Sequence, residues 1–363
     1  MTTRIIFTGG GTAGHVTPNL ALIEAIQHEG WQVDYIGSKQ SVEEELIGKA
    51  GIPFHAISSG KMRRYFSWKN FLDPFKIFAG ISQSFFLLRK LKADIVFSKG
   101  GFVAFPVVFA AWLNRIPVVA HESDMTPGLA NRMSFPFVDK VCLGFAAAKT
   151  SFKNQNKVEV TGSPIRQQLF KGSRKRGLEL CGFSTHKPTL LIMGGSLGSL
   201  TLNQIIRQAL PKLTHDYQII HLCGKGKIDQ SLLDNSDYCQ YEYVSNELAD
   251  LYAASDLIIS RAGANSLCEI LALQKPHVLI PLSAKVSRGD QIHNANYFQQ
   301  QQISVVVNEE QLSPETLIAA IEEVNSNKNA ILTKIKALDI QSAATRILAI
   351  IKEQLHVESP KTV

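Results

Sequence analysis

Three times in this chain a short apolar run closes on a glycine-rich turn and passes straight into a helix-like stretch, once at Ser98-Lys99-Gly100-Gly101 after ADIVF. RIIFT at residues 4–8 leads into Gly9-Gly10-Gly11-Thr12-Ala13-Gly14-His15, and TLLIM at 189–193 leads into Gly194-Gly195-Ser196-Leu197-Gly198-Ser199. Around each, further apolar runs (VDYIGS, ADIVFS, IPVVAHE and KVCLGF, then QIIHLCG, YEYV, DLIIS and HVLIPL) alternate with amphipathic stretches. That alternation is the signature of a parallel sheet covered by helices. With 363 residues, about twice what one hydrophobic core usually organises, the reading is two Rossmann-like α/β domains in tandem. The polar stretch SPIRQQLFKGSRKRG is the candidate linker, dividing residues 1–163 from 164–339.

Glycine in such a turn lets the backbone bend sharply and approach a ligand, while the following helix aims free N–H groups and its positive end at an anion, so phosphate-bearing ligands are implied. Gly9, Gly11 and Gly14 match G-x-G-x-x-G, but the second strand ends in Gly37-Ser38-Lys39 with Asp34 inside it, so the acid that a dinucleotide site needs at the strand tip is missing. Thr17-Pro18 reads as an N-cap and first helical residue, which places His15 on the turn itself. In the second half, DLIIS runs into Arg261-Ala262-Gly263 and a helix start. Glu269 then falls roughly one to two turns into that helix, where a carboxylate either accepts ribose hydroxyls or complements the helix dipole.

Five widely spaced cysteines without a C-x-x-C pair indicate neither a disulfide framework nor a zinc site, and read as buried thiols. There is no apolar stretch of spanning length and no signal-peptide pattern before the first strand, so a cytoplasmic protein is expected. The formal net charge of +7 is concentrated: residues 61–99 hold nine Lys/Arg against two acids. Within that segment Tyr65, Phe66, Trp68, Phe71, Phe75 and Phe78 are interleaved with the cations, a pattern suited to an anionic membrane surface or, alternatively, to an ordinary helix with solvated lysines. No nucleic-acid-binding module is recognised.

The motifs GGGTAGHVTP, SKGGFV, HESDMTPGLANR, TGSPIR, GGSLGS, SRAGANSLCE and GDQIHNA, in this order and spacing, resemble those of the MurG family, the N-acetylglucosaminyltransferases of peptidoglycan synthesis, over nearly all of residues 1–345. The resemblance implies a GT-B fold whose two parallel sheets face a central cleft, with a C-terminal helix at about 340–358 returning to the N-terminal domain. It also implies inverting transfer of GlcNAc from UDP-GlcNAc to the C4 hydroxyl of MurNAc in undecaprenyl-diphosphate-linked lipid I, giving lipid II. The enzyme would act as a peripheral protein on the cytoplasmic face of the membrane. No Asp-x-Asp motif is present, and the family uses neither metal nor cofactor.

Carried over residue by residue, donor contacts fall on Thr12, Ala13, Gly14, Arg166, Ser196, Glu269 and Gln291, with uracil against the backbone near Val244. Arg166 and Ser196 would hold the diphosphate. His15 would contact the diphosphate or deprotonate the acceptor. The family's frequent HEQN is His121-Glu122-Ser123-Asp124 here, which puts a carboxylate, Asp124, on the acceptor side as a second candidate base. Two related enzymes share the architecture: a GT-B transferase with another lipid acceptor such as diacylglycerol, and a UDP-sugar 2-epimerase. A non-catalytic UDP-sugar binder is the remaining alternative.

Overall fold

Mostly apolar runs of two to seven residues, bounded by glycine and polar turns, become strands that are buried on both faces at the centre of each sheet. The computed structural model describes residues 2–60, 73–195, 198–338, 340 and 342–357. The chain divides into two units, one of residues 1–166 with the chain from 341 onward, the other of residues 167–340.

In the first unit β1 (Arg4–Thr8), α1 (Ala13–Ile26), β2 (Gln32–Ser38), α2 (Val42–Lys49) and β3 (Phe54–Ile57) come first. They are followed by α3 (Asp73–Leu91), β4 (Ile95–Ser98), α4 (Ala104–Leu113), β5 (Val118–Glu122), α5 (Leu129–Ser134), β6 (Lys140–Leu143) and β7 (Val158–Val160). Among the described residues these strands form one parallel sheet in the order β3-β2-β1-β4-β5-β6-β7. Alternate residues of each strand face opposite sides. Ile6, Ile36, Val96 and Val118 pack on one side with Leu88 of α3 and Val107, Val108 and Ala111 of α4. On the other side Ile5, Phe7, Tyr35 and Phe97 meet Leu22 and Ile26 of α1 and three residues from the far end of the chain, Ala344, Ile347 and Ile351. Those three belong to α13, introduced below, which lies against α1.

The second unit holds α6 (Arg174–Cys181), β8 (Thr189–Met193), α7 (Leu200–Asp216), β9 (Gln218–Leu222), β10 (Tyr238–Tyr241), α8 (Leu248–Ala254), β11 (Leu257–Ser260) and α9 (Ala264–Ala272). Then come β12 (His277–Leu279), α10 (Asp290–Gln300), β13 (Val305–Val306), α11 (Pro314–Ser326) and α12 (Lys328–Lys336), before α13 (Ala343–Val357) returns to the first unit. Its described strands are again all parallel, in the order β10-β9-β8-β11-β12-β13. Leu190, Ile192, Ile219, Ile258 and Leu279 are fully buried in its core.

Two sequence expectations are corrected. α1 does not start at Pro18: Thr12, in extended conformation, is its N-cap, and Pro18 lies inside the helix. Proline lacks the N–H that would bond back to residue 14, so the helix tolerates it near its first turns, where little of the hydrogen-bond ladder is forfeited. His15 is therefore the third helical residue. The strand expected over YEYV ends at Tyr241, so Val244 sits in the loop beyond β10.

Candidate functional site

In each sheet the strand order reverses between two neighbours, β1/β4 and β8/β11, and the crevice outside the carboxyl ends of such a pair is where α/β sheets bind ligands. In the first unit both strands end in glycine turns that touch. A Cβ on Gly101, whose φ is +89°, would lie 2.1 Å from the Gly10 carbonyl oxygen, so only glycine allows this approach.

Three buried polar side chains hold the first turn from beneath. Glu43, fully buried, accepts from the Gly11 N–H (3.2 Å), the Ser38 N–H (3.2 Å) and the Ser38 hydroxyl (2.8 Å). Tyr35 donates to the Gly9 carbonyl at 2.6 Å and accepts from Asn19 Nδ2 at 3.0 Å, and burial pushes its phenol far above the usual range. With its turn fixed in advance, the N-terminus of α1 presents a preorganised anion cradle. His15, half-buried there, has Nδ1 3.1 Å from Thr12 Oγ1.

Beside this turn lies a buried network that joins residues of the SKGGFV and HESDMTPGLANR motifs, a contact between them that the sequence did not show. Lys99, 2% exposed, donates to His121 Nδ1 at 2.8 Å and to Ser123 Oγ. His121 Nε2 lies 2.9 Å from the Gly162 carbonyl, so the ring is the Nε2–H tautomer, donating there and accepting from Lys99. Burial, with the Lys99 charge second, holds His121 well below its usual pKa, so it stays neutral. Glu122 accepts from the Asp124 N–H (3.0 Å), the Gly128 N–H (3.2 Å) and Asn131 Nδ2 (2.8 Å), and burial followed by the nearby Asp124 raises its pKa. These bonds fix the loop that carries Asp124. The strands that precede His15 and Asp124, β1 and β5, are separated only by β4 and so lie on the order of 10 Å apart. The legible signal for the network was a run of polar residues, His121-Glu122-Ser123, at the end of an apolar strand.

Arg166, the last residue of the first unit before the crossing, is half-buried, unlike a solvated linker charge. Lys99, counted with the basic segment, is likewise buried.

In the second unit a cleft of about 660 Å³ opens at the β8/β11 reversal, lined by Gly195, Ser199, Gly263, Ser266, Lys285 and Gln291 among others. Gln291, second in α10, accepts from the Leu282 N–H at 3.0 Å, which fixes its amide at the cleft wall. Below the turn Arg261 is 6% exposed and acts as a strut. It donates to Ser199 Oγ (2.6 Å), to the Ile280 carbonyl (3.2 Å) and to Glu309, whose other oxygen accepts from the Ser283 N–H at 3.0 Å. Glu269 is the sixth residue of α9, 8% exposed, and accepts from the Tyr252 hydroxyl at 3.2 Å. Glu269 and the buried Val244 stand outside the lining of this cleft. Ser196 lies outside the described residues, and of Ala13 only the helical backbone is described.

On α3, Phe75 and Phe78 are each 73% exposed and Phe86 is 66% exposed, with Lys76, Arg89 and Lys90 on the same helix. Positions 75, 78, 82 and 86 share one helical face. Tyr65, Phe66, Trp68 and Phe71 lie outside the described residues. No described helix is long and apolar enough to cross a membrane, and no group of three metal-ligating side chains occurs among the described residues.

Two parallel-sheet units, each with glycine turns at its reversal, define a GT-B glycosyltransferase architecture. Residues 5–143 match the glycosyltransferase family 28 N-terminal domain and residues 189–350 the family 28 C-terminal domain. The UDP-N-acetylglucosamine--N-acetylmuramyl-(pentapeptide) pyrophosphoryl-undecaprenol N-acetylglucosamine transferase of Legionella pneumophila (strain Paris) is 63% identical over 363 residues, 100% of each chain. The protein of the same description from Lachnoclostridium phytofermentans is 51% identical over 350 residues, 96% of this chain and 98% of its own. Among solved structures, MurG of Acinetobacter baumannii matches with a TM-score of 0.76 at 24% identity, over 97% of this chain and 99% of that one. A putative UDP-N-acetylglucosamine 2-epimerase from Listeria monocytogenes matches with 0.71 at 12% identity, over 99% and 98%. At these identities the structural likenesses show the fold alone. The chain belongs to the MurG family of family 28 glycosyltransferases.

Proposed function

We propose that this enzyme transfers GlcNAc from UDP-GlcNAc to the C4 hydroxyl of MurNAc in lipid I, with inversion at the anomeric carbon and without a metal, giving lipid II. The observation that carries this reading is the 63% identity, end to end, with a Legionella protein described as that transferase.

The reaction needs a base for the acceptor hydroxyl and stabilisation of the departing UDP diphosphate. In the first unit the α1 N-terminus, with Thr12, Ala13 and Gly14, supplies N–H groups for negative charge, while His15 and Asp124 are the two candidate bases. His121, fully buried with both ring nitrogens engaged by Lys99 and the Gly162 carbonyl, is not a third candidate, and Glu122 positions the Asp124 loop. In the second unit the cleft at the β8/β11 reversal, with Gln291, receives the donor; Arg166 and Ser196 pair with the diphosphate, Glu269 with the ribose, and the backbone near Val244 with uracil. The Phe75, Phe78 and Phe86 face of α3, with its cations and the basic segment before it, seats the enzyme on an anionic membrane at the cytoplasmic face, where a lipid-linked acceptor is presented.

The test is transfer of radiolabelled GlcNAc from UDP-GlcNAc to a lipid I analogue with EDTA present, with diacylglycerol run in parallel. Product on lipid I alone is expected. Transfer to diacylglycerol, or conversion of UDP-GlcNAc to its 2-epimer without transfer, overturns the reading. For the membrane surface, Phe78→Ser should weaken sedimentation with phosphatidylglycerol vesicles, and unchanged sedimentation removes α3 from the proposal.

A further inference from the structure

The five cysteines do not share one environment. Cys142, Cys223 and Cys268 are buried, whereas Cys181 and Cys239 are only partly covered. Cys181 is the last residue of α6, which Gly182 terminates in left-handed conformation. Cys239 lies on β10, the end strand of its sheet, paired on one side only with β9.

Along β10, Tyr238 and Gln240 are buried while Cys239 and Tyr241 point to the opposite, partly open face. That is the face α6 covers: the Tyr241 hydroxyl donates to the Leu180 carbonyl at 2.9 Å and lies 3.8 Å from Cys181 Sγ. Cys239 stands two residues before Tyr241 on the same face of β10, so its thiol is presented to the same end of α6 that carries Cys181. A helix end and a strand face thus bring two partly exposed sulfurs to one spot, 58 positions apart in the chain.

We propose that Cys181 and Cys239 are a reactive thiol pair that hydrogen peroxide converts into an intramolecular disulfide. In the first step the Cys239 sulfur attacks one peroxide oxygen; the O–O bond breaks, leaving a sulfenic acid on Cys239 and releasing one water. In the second the Cys181 sulfur attacks the sulfenic sulfur; the S–S bond forms and the hydroxyl leaves with the Cys181 proton as a second water. Two thiols are oxidised by two electrons in all, and peroxide is reduced to two waters. Cys239, on the partly open face of β10, is the attacking sulfur, and the neighbouring Cys181 thiol lowers its pKa, while burial pushes Cys142 up to about 12. The resulting bond ties α6 to β10 and is reversed by dithiol exchange.

The reduced full-length protein is treated with hydrogen peroxide, alkylated with N-ethylmaleimide without reductant, digested and read by mass spectrometry. The expected result is loss of two of the five alkylatable thiols, one linked peptide pair joining Cys181 to Cys239, and recovery of both thiols with dithiothreitol. Cys181→Ser should abolish the linked pair and leave a Cys239 sulfenic acid that dimedone traps. A linkage involving Cys142, Cys223 or Cys268, oxidation of Cys239 to sulfinic acid in the wild type with no linked pair, or retention of all the thiols at peroxide levels that oxidise a free-thiol control would each overturn the proposal. The wild-type reading needs no variant, so poor folding of a serine substitution does not decide the outcome.

Discussion

Replacing Arg261 with Met keeps an apolar stem of similar length and removes only the guanidinium. The Glu309 carboxylate then loses its cation in a site where the Glu309 side chain is 13% exposed. The Ile280 and Pro281 carbonyls lose their donor as well. Removing one partner of a buried pair costs about 3–5 kcal/mol, mostly from the charge left behind. For a unit the size of residues 167–340, at roughly 2–4 °C per kcal/mol, that lowers its melting temperature by on the order of 10 °C. The assay is urea unfolding followed by far-UV circular dichroism beside tryptophan fluorescence. Tryptophans 31, 68 and 112 all fall in the first unit's part of the chain, so the loss should show in the dichroism transition and leave the fluorescence transition in place. Glu309→Gln in the same chain keeps an acceptor for the Ser283 N–H and removes the stranded charge, so the double variant should recover at least about 1 kcal/mol over the additive expectation. A cost below about 1 kcal/mol for Arg261→Met alone would refute the argument and mean that the arginine is solvated.

Acid should loosen the second unit early. Burial holds His221 at about 3 and His277 at about 4, below the usual 6.5, so the unfolded chain binds protons that the folded unit refuses. Stability is therefore full above about pH 6.5 and falls by roughly 2.7 kcal/mol per pH unit as pH drops toward 4; equal urea midpoints at pH 7 and pH 5 would contradict this. Glu269→Gln, which keeps an acceptor for Tyr252, should weaken UDP-GlcNAc binding by roughly 10–100-fold in calorimetry, and an unchanged Kd would take the ribose away from this residue. His15→Ala and Asp124→Asn separate the candidate bases: the one that removes the acceptor proton should lose on the order of a hundredfold in kcat with a shifted pH profile, and the other much less.

Most central strands and the glycine turns after β1, β4 and β8 were readable because a buried parallel strand must be almost wholly apolar and its turn must admit a close backbone, whereas the edge strands β3, β7 and β13 carry no such run. The start of α1 was not, because Thr17-Pro18 carries a stronger local helix-start signal than Thr12-Ala13, and the tertiary seating of the glycine turn overrides it. The Lys99, His121 and Asn131 network escaped for a different reason. Lys99 follows β4, His121 and Glu122 end β5 and Asn131 lies in α5, so the sequence shows their motifs but not the contacts between them until the sheet brings them together. Arg261 stood inside a quoted motif, yet its partner Glu309 is 48 residues away and nothing local announces the pair. The thiol pair is hidden in the same way, by a helix end packed over an edge strand.

The return of α13 to the first unit also has a meaning for synthesis. Ile347 and Ile351 fill the same core cluster as Ile5 and Phe7, each contributing about 1.5–3 kcal/mol of burial. A ribosome makes the beginning of that core first and supplies its last pieces only after the whole intervening domain has emerged. The nascent first unit keeps one flank of its sheet uncovered until α13 emerges, and its maturation is timed by the synthesis of that helix rather than by its own length.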